Sequence, residues 1–176
     1  MQRTSGQVLI IIGSTGSGKT TLAKYTAKRQ GWCHIEEDDY WVKNGWRDQL
    51  RTEEHETIIQ QQVSADLLKL CAAGNSAVIE FVIYKAPPNA LTTYTSFLKK
   101  HLVPYRIIVL RPTLEIILER IKQRGRPMDL ADLSNCRRDV QHQLECLSMI
   151  DIEPMVCIDS TNLTVEKLYK QAIPAD

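Results

Sequence analysis

The run Val8-Leu9-Ile10-Ile11-Ile12 followed at once by Gly13-Ser14-Thr15-Gly16-Ser17-Gly18-Lys19-Thr20 constrains this chain more than any other feature. Five consecutive apolar residues, four of them β-branched, suit a strand buried on both faces of a parallel sheet. The next eight match G-x-x-x-x-G-K-[ST] in full. Glycines let the backbone curl so that successive N–H groups point inward, which makes a cradle for phosphate oxygens. A helix leaving at Lys19 adds positive partial charge at the same place. Lys19 then offers a mobile cation to β- and γ-phosphates, Thr20 a hydroxyl to Mg²⁺, and Thr21 continues the cradle. Nucleotide binding follows from this motif in its strand–loop–helix setting. Turnover does not, because hydrolases, switches and kinases all use such a loop.

Further along, apolar strands alternate with helical stretches. Trp32–Ile35, Ala77–Ile83, Arg106–Leu110 and Met155–Ile158 read as strands. Helices are expected over Lys19–Arg29, from Thr52 to the Gly74-Asn75 break, over Asn89–Lys100, after Thr113 until Gly125, over Leu130–Leu147 and over Val165–Ala172. Ile59, Val63, Leu67 and Leu70 share one helical face, and Leu114, Ile117, Leu118 and Ile121 another. The segment Glu36–Arg51, with its acids, aromatics and Gly45, reads as a loop. The alternation predicts one α/β domain over residues 1–176, with a parallel sheet and right-handed crossovers.

Charge and cysteine usage narrow the partners. A formal net charge of +1 gives no field for duplex nucleic acid or an anionic membrane. The five cysteines are scattered and lack any Cys-x-x-Cys pair, which points to reduced thiols in a cytoplasmic protein. Met1–Gln7 is polar and carries no apolar leader, and the longest apolar run is far too short to span a bilayer. Oligomeric state is not legible.

Four further elements gather chemistry around the loop. Glu36-Glu37-Asp38-Asp39-Tyr40 stands at the end of the second strand, where ligands of a doubly wound sheet collect. Trp41 and Trp46 follow, either as a stacking wall for a substrate or as a cover over the core. Glu80 is a charge inside an apolar strand and needs a partner or an edge position. Arg120, Lys122, Arg124 and Arg126 surround a Gly125/Pro127 break. Phosphoryl transfer spreads charge over equatorial oxygens, so arginines on a short lid are useful there.

In motif order and spacing the chain resembles the small P-loop kinases: shikimate, gluconate and nucleoside kinases, chloramphenicol phosphotransferase and the kinase domain of polynucleotide kinases. The resemblance implies a three-layer α/β/α fold with a five-stranded parallel sheet in the order 2-3-1-4-5. It implies ATP and Mg²⁺ as cofactors and a hydroxyl as acceptor. Asp38 would be the base for that hydroxyl, with Asp39 reaching Mg²⁺ through water. The two could be reversed, because a bulge after Ile35 would exchange their directions. Glu80 would face the active site, although Phe81 stands where these kinases carry glycine. Arg126-Pro127-Met128 is similar to the start of the shikimate-kinase lid, and Arg120 would stack on adenine. The loop Ile158–Asn162 would pack beside the base. A small-molecule acceptor is the first expectation; a nucleoside, a polynucleotide end or a non-kinase switch are the alternatives.

Overall fold

The computed structural model describes residues 6–47, 49–127, 132–153 and 155–173. Its elements in chain order are β1 (Val8–Gly13), α1 (Lys19–Gln30), β2 (Cys33–Glu36), α2 (Glu37–Lys43), α3 (Glu53–Ala72), β3 (Ala77–Phe81), α4 (Ala90–Lys100), β4 (Tyr105–Leu110), α5 (Leu114–Arg124), α6 (Leu133–Ser148), β5 (Met155–Ile158) and α7 (Val165–Ala172). The five strands form one sheet in the order β2-β3-β1-β4-β5. Every pairing is parallel, and β1 is central, with Val8 opposite both Ala77 and Tyr105. This is the expected strand order.

Alternation along the strands divides the core into two layers. Ile10, Ile12, Ile79 and Val109 face Val63 and Leu67 of α3 and Leu91 and Tyr94 of α4. Leu9, Ile11, Val78 and Ile108 face Leu22 and Ala23 of α1 and Leu168 and Ala172 of α7. A smaller cluster of Ile117, Ile121 and Val140 joins α5 to α6. β1 is buried along its whole length, so its carboxyl end delivers the glycine-rich loop from the middle of the sheet. Among the described residues, no helix is long and apolar enough to cross a membrane.

Two local expectations are corrected. Glu36–Arg51 is not all loop, because residues 37–43 form α2. Three acids in its first turn complement the helix dipole, and burial of Tyr40 and Trp41 anchors it. The helix expected from Leu130 starts at Leu133 instead; Leu130 itself lies outside the described residues. Asp132 caps that helix by accepting a hydrogen bond from the Asn135 N–H.

Candidate active site

The glycine-rich loop closes over the N-terminus of α1 at the carboxyl edge of the sheet. Two of its glycines are dictated by their surroundings. A Cβ on Gly16 would sit 2.9 Å from Ile121 Cγ1 and 3.1 Å from the Ile117 carbonyl, at a φ of +78°; α5 therefore packs directly on the loop backbone. A Cβ on Gly13 would meet Ser17 Oγ at 2.5 Å. Inside the loop the Ser17 N–H donates to the Ser14 carbonyl at 3.1 Å.

Residues distant in sequence hold this shape. The Thr15 N–H donates to Gln143 Oε1 at 2.8 Å. The Ser17 carbonyl accepts from Ser160 Oγ at 3.1 Å and from Arg120 Nη1 at 3.3 Å. Arg120 also donates to the Ser160 carbonyl at 2.7 Å, so its guanidinium fastens the loop to the segment after β5. That segment is the one expected beside adenine.

Lys19 is buried and its Nζ donates to the Ser14 carbonyl at 2.9 Å. Burial pulls its pKa down to about 8, against the opposing pull of Glu80 and Asp38. The cation is thus desolvated in advance and gains most when an anion arrives beside it.

Glu80 finds its partners on both sides. It lies on β3 opposite Ile11 of β1 and Glu36 of β2. Thr20 Oγ1 donates to Glu80 Oε2 at 2.9 Å, and His34 Nε2 lies 3.2 Å from Glu80 Oε1. His34, Glu36 and Glu80 each present a ligand atom within 4.8 Å of the others. Burial first, then repulsion from Glu80, raises the Glu36 pKa. Carboxylates crowded beside the loop hydroxyl form an oxygen-rich corner that suits a hard divalent cation.

This corner forms part of the wall of a cavity of about 680 Å³. Its wall carries Thr15–Thr21, Glu36, Asp38, Glu80, Arg120, Arg124 and Arg126 together. Asp38 projects from the first turn of α2, largely exposed, and accepts from Arg51 Nη2 at 3.3 Å. The Arg51 guanidinium lies over two rings, 4.4 Å from the Trp41 centroid and 4.8 Å from that of Tyr84. Asp39 is exposed and does not line the cavity. Glu36 and Glu80 occupy the place beside Thr20 that was expected of Asp39. Trp41 is also placed differently from a stacking wall: it is 3% exposed, packed edge-on against Trp46 and His55. The aromatic-cover alternative describes it.

Arg124 ends α5 and Gly125 follows in a left-handed turn at φ 67°. Arg124 lies close enough to Lys19 for its charge to disfavour the ammonium. Arg126 is exposed and borders the cavity. Met128 of the expected lid lies outside the described residues.

A family model described as an AAA domain matches residues 8–144. The chain belongs to that family. Solved structures with a similar fold include a sugar kinase from Janibacter sp. HTCC2649, 23% identical over 95% of this chain and 92% of that one, with a TM-score of 0.69. A gluconokinase from Sinorhizobium meliloti 1021 is 16% identical, covering 97% and 91%, with a TM-score of 0.64. A shikimate kinase from Acinetobacter baumannii is 17% identical, covering 96% and 91%, with a TM-score of 0.64. At these identities the likeness is one of fold, and the fold is that of the small P-loop kinases. No curated protein matches the chain in sequence.

Within this AAA-domain chain, Arg51, Tyr84 and Gln143 are residues of the candidate site that sequence reasoning missed. Arg51 stands one residue before Thr52, the N-cap of α3, and a basic residue just ahead of a helix carries no signal of its own. Gln143 lies 128 positions from the N–H it caps, and only the fold brings the two together.

Proposed function

We propose that the protein transfers the γ-phosphoryl group of ATP to a hydroxyl group of a small molecule, with Mg²⁺. The observation that carries this reading is a single cavity shared by the phosphate loop, one exposed carboxylate and the arginines at the end of α5. A binding module needs only the first of these. Phosphoryl transfer uses all three, since it asks for positioning, a proton acceptor and charge stabilisation.

The P-loop amides and Lys19 hold the triphosphate. Asp38 accepts the proton of the attacking hydroxyl as its oxygen bonds to the γ-phosphorus; the bond from phosphorus to the β–γ bridging oxygen breaks and ADP leaves. Arg126 and Arg124 balance the charge on the transferring group, and Arg120 flanks the base. Arg51 donates to one oxygen of Asp38, which aims the carboxylate.

The residues beside Thr20 fit Mg²⁺: a hydroxyl hydrogen-bonded to a buried carboxylate, with a second carboxylate adjacent. Thr20 and Glu80 would hold the ion, which when bound neutralises phosphate charge. The five scattered cysteines, with no Cys-x-x-Cys pair among them, support a cytoplasmic setting.

The test is ADP release measured against a panel of sugars, nucleosides, hydroxylated antibiotics and oligonucleotide ends. Release that depends on one class of small hydroxyl compound is expected. Slow release indifferent to every acceptor would indicate a nucleotide switch and overturn the reading. Dependence on oligonucleotide ends alone would move the acceptor to the polynucleotide class.

A further inference from the structure

Two adjacent residues of α6 bond to backbone atoms of two separate segments that line the cavity, Thr15 and Tyr84, and neither has a part in the reaction as set out above. Gln143 is 3% exposed, and its Oε1 is the acceptor for the Thr15 N–H at 2.8 Å. His142 Nε2 lies 2.8 Å from the Tyr84 carbonyl oxygen. A carbonyl only accepts, so Nε2 carries the proton. Tyr84 borders the cavity and covers Arg51, which in turn holds Asp38. One turn of α6 therefore grips the phosphate loop and the wall beside the candidate base.

The helix is fit to act as a strut. Val140, Cys146 and Leu147 are buried, and Val140 packs on Ile117 and Ile121 of α5. Those same two side chains press on Gly16. Inside the loop a backbone bond runs from the Ser17 N–H to the Ser14 carbonyl, whereas the Thr15 N–H is paired with Gln143. An acceptor from outside is what fixes the direction of the Thr15 peptide.

We propose that Gln143 and His142 are positioning residues that couple the shape of the phosphate loop to the Tyr84 wall, so that nucleotide occupancy is transmitted across the cavity through α6. The coupling rests on the nucleotide-binding reading; the Gln143 bond to the loop does not. A loop competent for only a fraction of the time binds with its affinity reduced by that fraction. A side chain that merely stabilised the fold would lower Tm and leave affinity alone.

Hydrogen exchange by mass spectrometry, with and without ADP, tests both parts on the full chain. Without nucleotide, Gln143→Met keeps the shape but removes the acceptor, and exchange over residues 14–19 should quicken by about tenfold, the equivalent of one lost hydrogen bond of ordinary strength. Gln143→Glu keeps an acceptor oxygen and should hold exchange near the wild-type rate. Unchanged exchange in Gln143→Met, with the protein folded by circular dichroism, would refute the positioning role. With ADP, the wild type should gain protection over residues 14–19 and also over 82–86. Gln143→Met should bind ADP roughly tenfold more weakly, and Gln143→Glu should not. His142→Ala should keep ADP-induced protection over 14–19 and lose it over 82–86. Protection over 82–86 that survives in His142→Ala, or is absent from the wild type, would overturn the coupling. A wild type that binds no ADP would sink the coupling and the nucleotide reading together, while the nucleotide-free exchange would still decide the Gln143 bond.

Discussion

Glu37→Gln would separate the charge of a buried carboxyl from its shape. Glu37, the first residue of α2, is 7% exposed, and Tyr94 Oη donates to its Oε1 at 2.5 Å. Burial raises its pKa from 4.5 to about 7, against the stabilising Tyr94 bond. A glutamine oxygen can still accept from Tyr94, so the variant removes the titration and little else. The unfolded chain binds fewer protons than the folded one between pH 4.5 and 7. The wild type must therefore lose stability as pH rises through that window and stay lowered above it. At 1.36 kcal/mol per pKa unit the loss is about 3 kcal/mol. For a chain of this size that corresponds to a Tm difference of about 8 °C. Thermal denaturation of both proteins from pH 4 to pH 8 measures it, and the difference between them cancels every other titrating group. The variant should gain on the wild type by about that amount across the range. A gap that stays constant with pH would refute the reasoning, whatever its sign.

Four further outcomes are expected at the site. Lys19→Ala should abolish turnover while circular dichroism stays native, and wild-type phosphate transfer by this variant would remove the P-loop from the reaction. Asp38→Asn should lower kcat by roughly a hundred- to ten-thousandfold with nucleotide Kd almost unchanged, whereas Asp39→Asn should behave as wild type; the opposite ranking would exchange their roles. Glu80→Gln keeps the Thr20 contact but loses charge, so the Mg²⁺ concentration for half-maximal rate should rise about ten- to a hundredfold, and an unaltered Mg²⁺ dependence would count against that corner as the metal site. Arg126→Ala should slow kcat by on the order of a thousandfold, and a mild effect would take the residue out of the reaction.

What was legible in the sequence was local. The strand run before Gly13 and the motif after it lie within thirteen consecutive residues, so the phosphate loop could be read directly. Glu80 was legible through contradiction: a charge in an apolar strand requires a partner, and Thr20 and His34 provide it. The strand order came with the family resemblance rather than with any residue. α2 was not legible because a helix of two turns is too short to show a period. Its buried residues, Glu37, Tyr40 and Trp41, do stand three and four apart, but the first is a carboxylate, which a reading of apolar periodicity does not count. Trp41 looked like a ligand wall for the same reason, since nothing local says that His55, Trp46 and Arg51 will close over it. Contacts such as Thr15 to Gln143 depend on where α6 packs, which no window of sequence contains.

The four acids 36–39 show why the helix at this place matters for chemistry. An extended segment would send successive side chains to two opposite faces, and the four carboxylates would have shared two environments. A helix instead turns about 100° per residue, so starting α2 directly at the end of β2 gives each acid its own surroundings. Glu36, the last strand residue, stays beside Glu80 at the oxygen-rich corner. Glu37 turns inward to Tyr94, where burial holds it partly protonated near neutral pH. Asp38 turns to the cavity and meets Arg51. Asp39 turns out to solvent. The inward acid and the packed ring of Trp41 anchor the helix, and that anchoring is what presents Asp38 to the cavity at a fixed angle. The cost of burying Glu37 thus falls on a residue that positions the candidate base, adjacent to it in sequence but in a different dielectric.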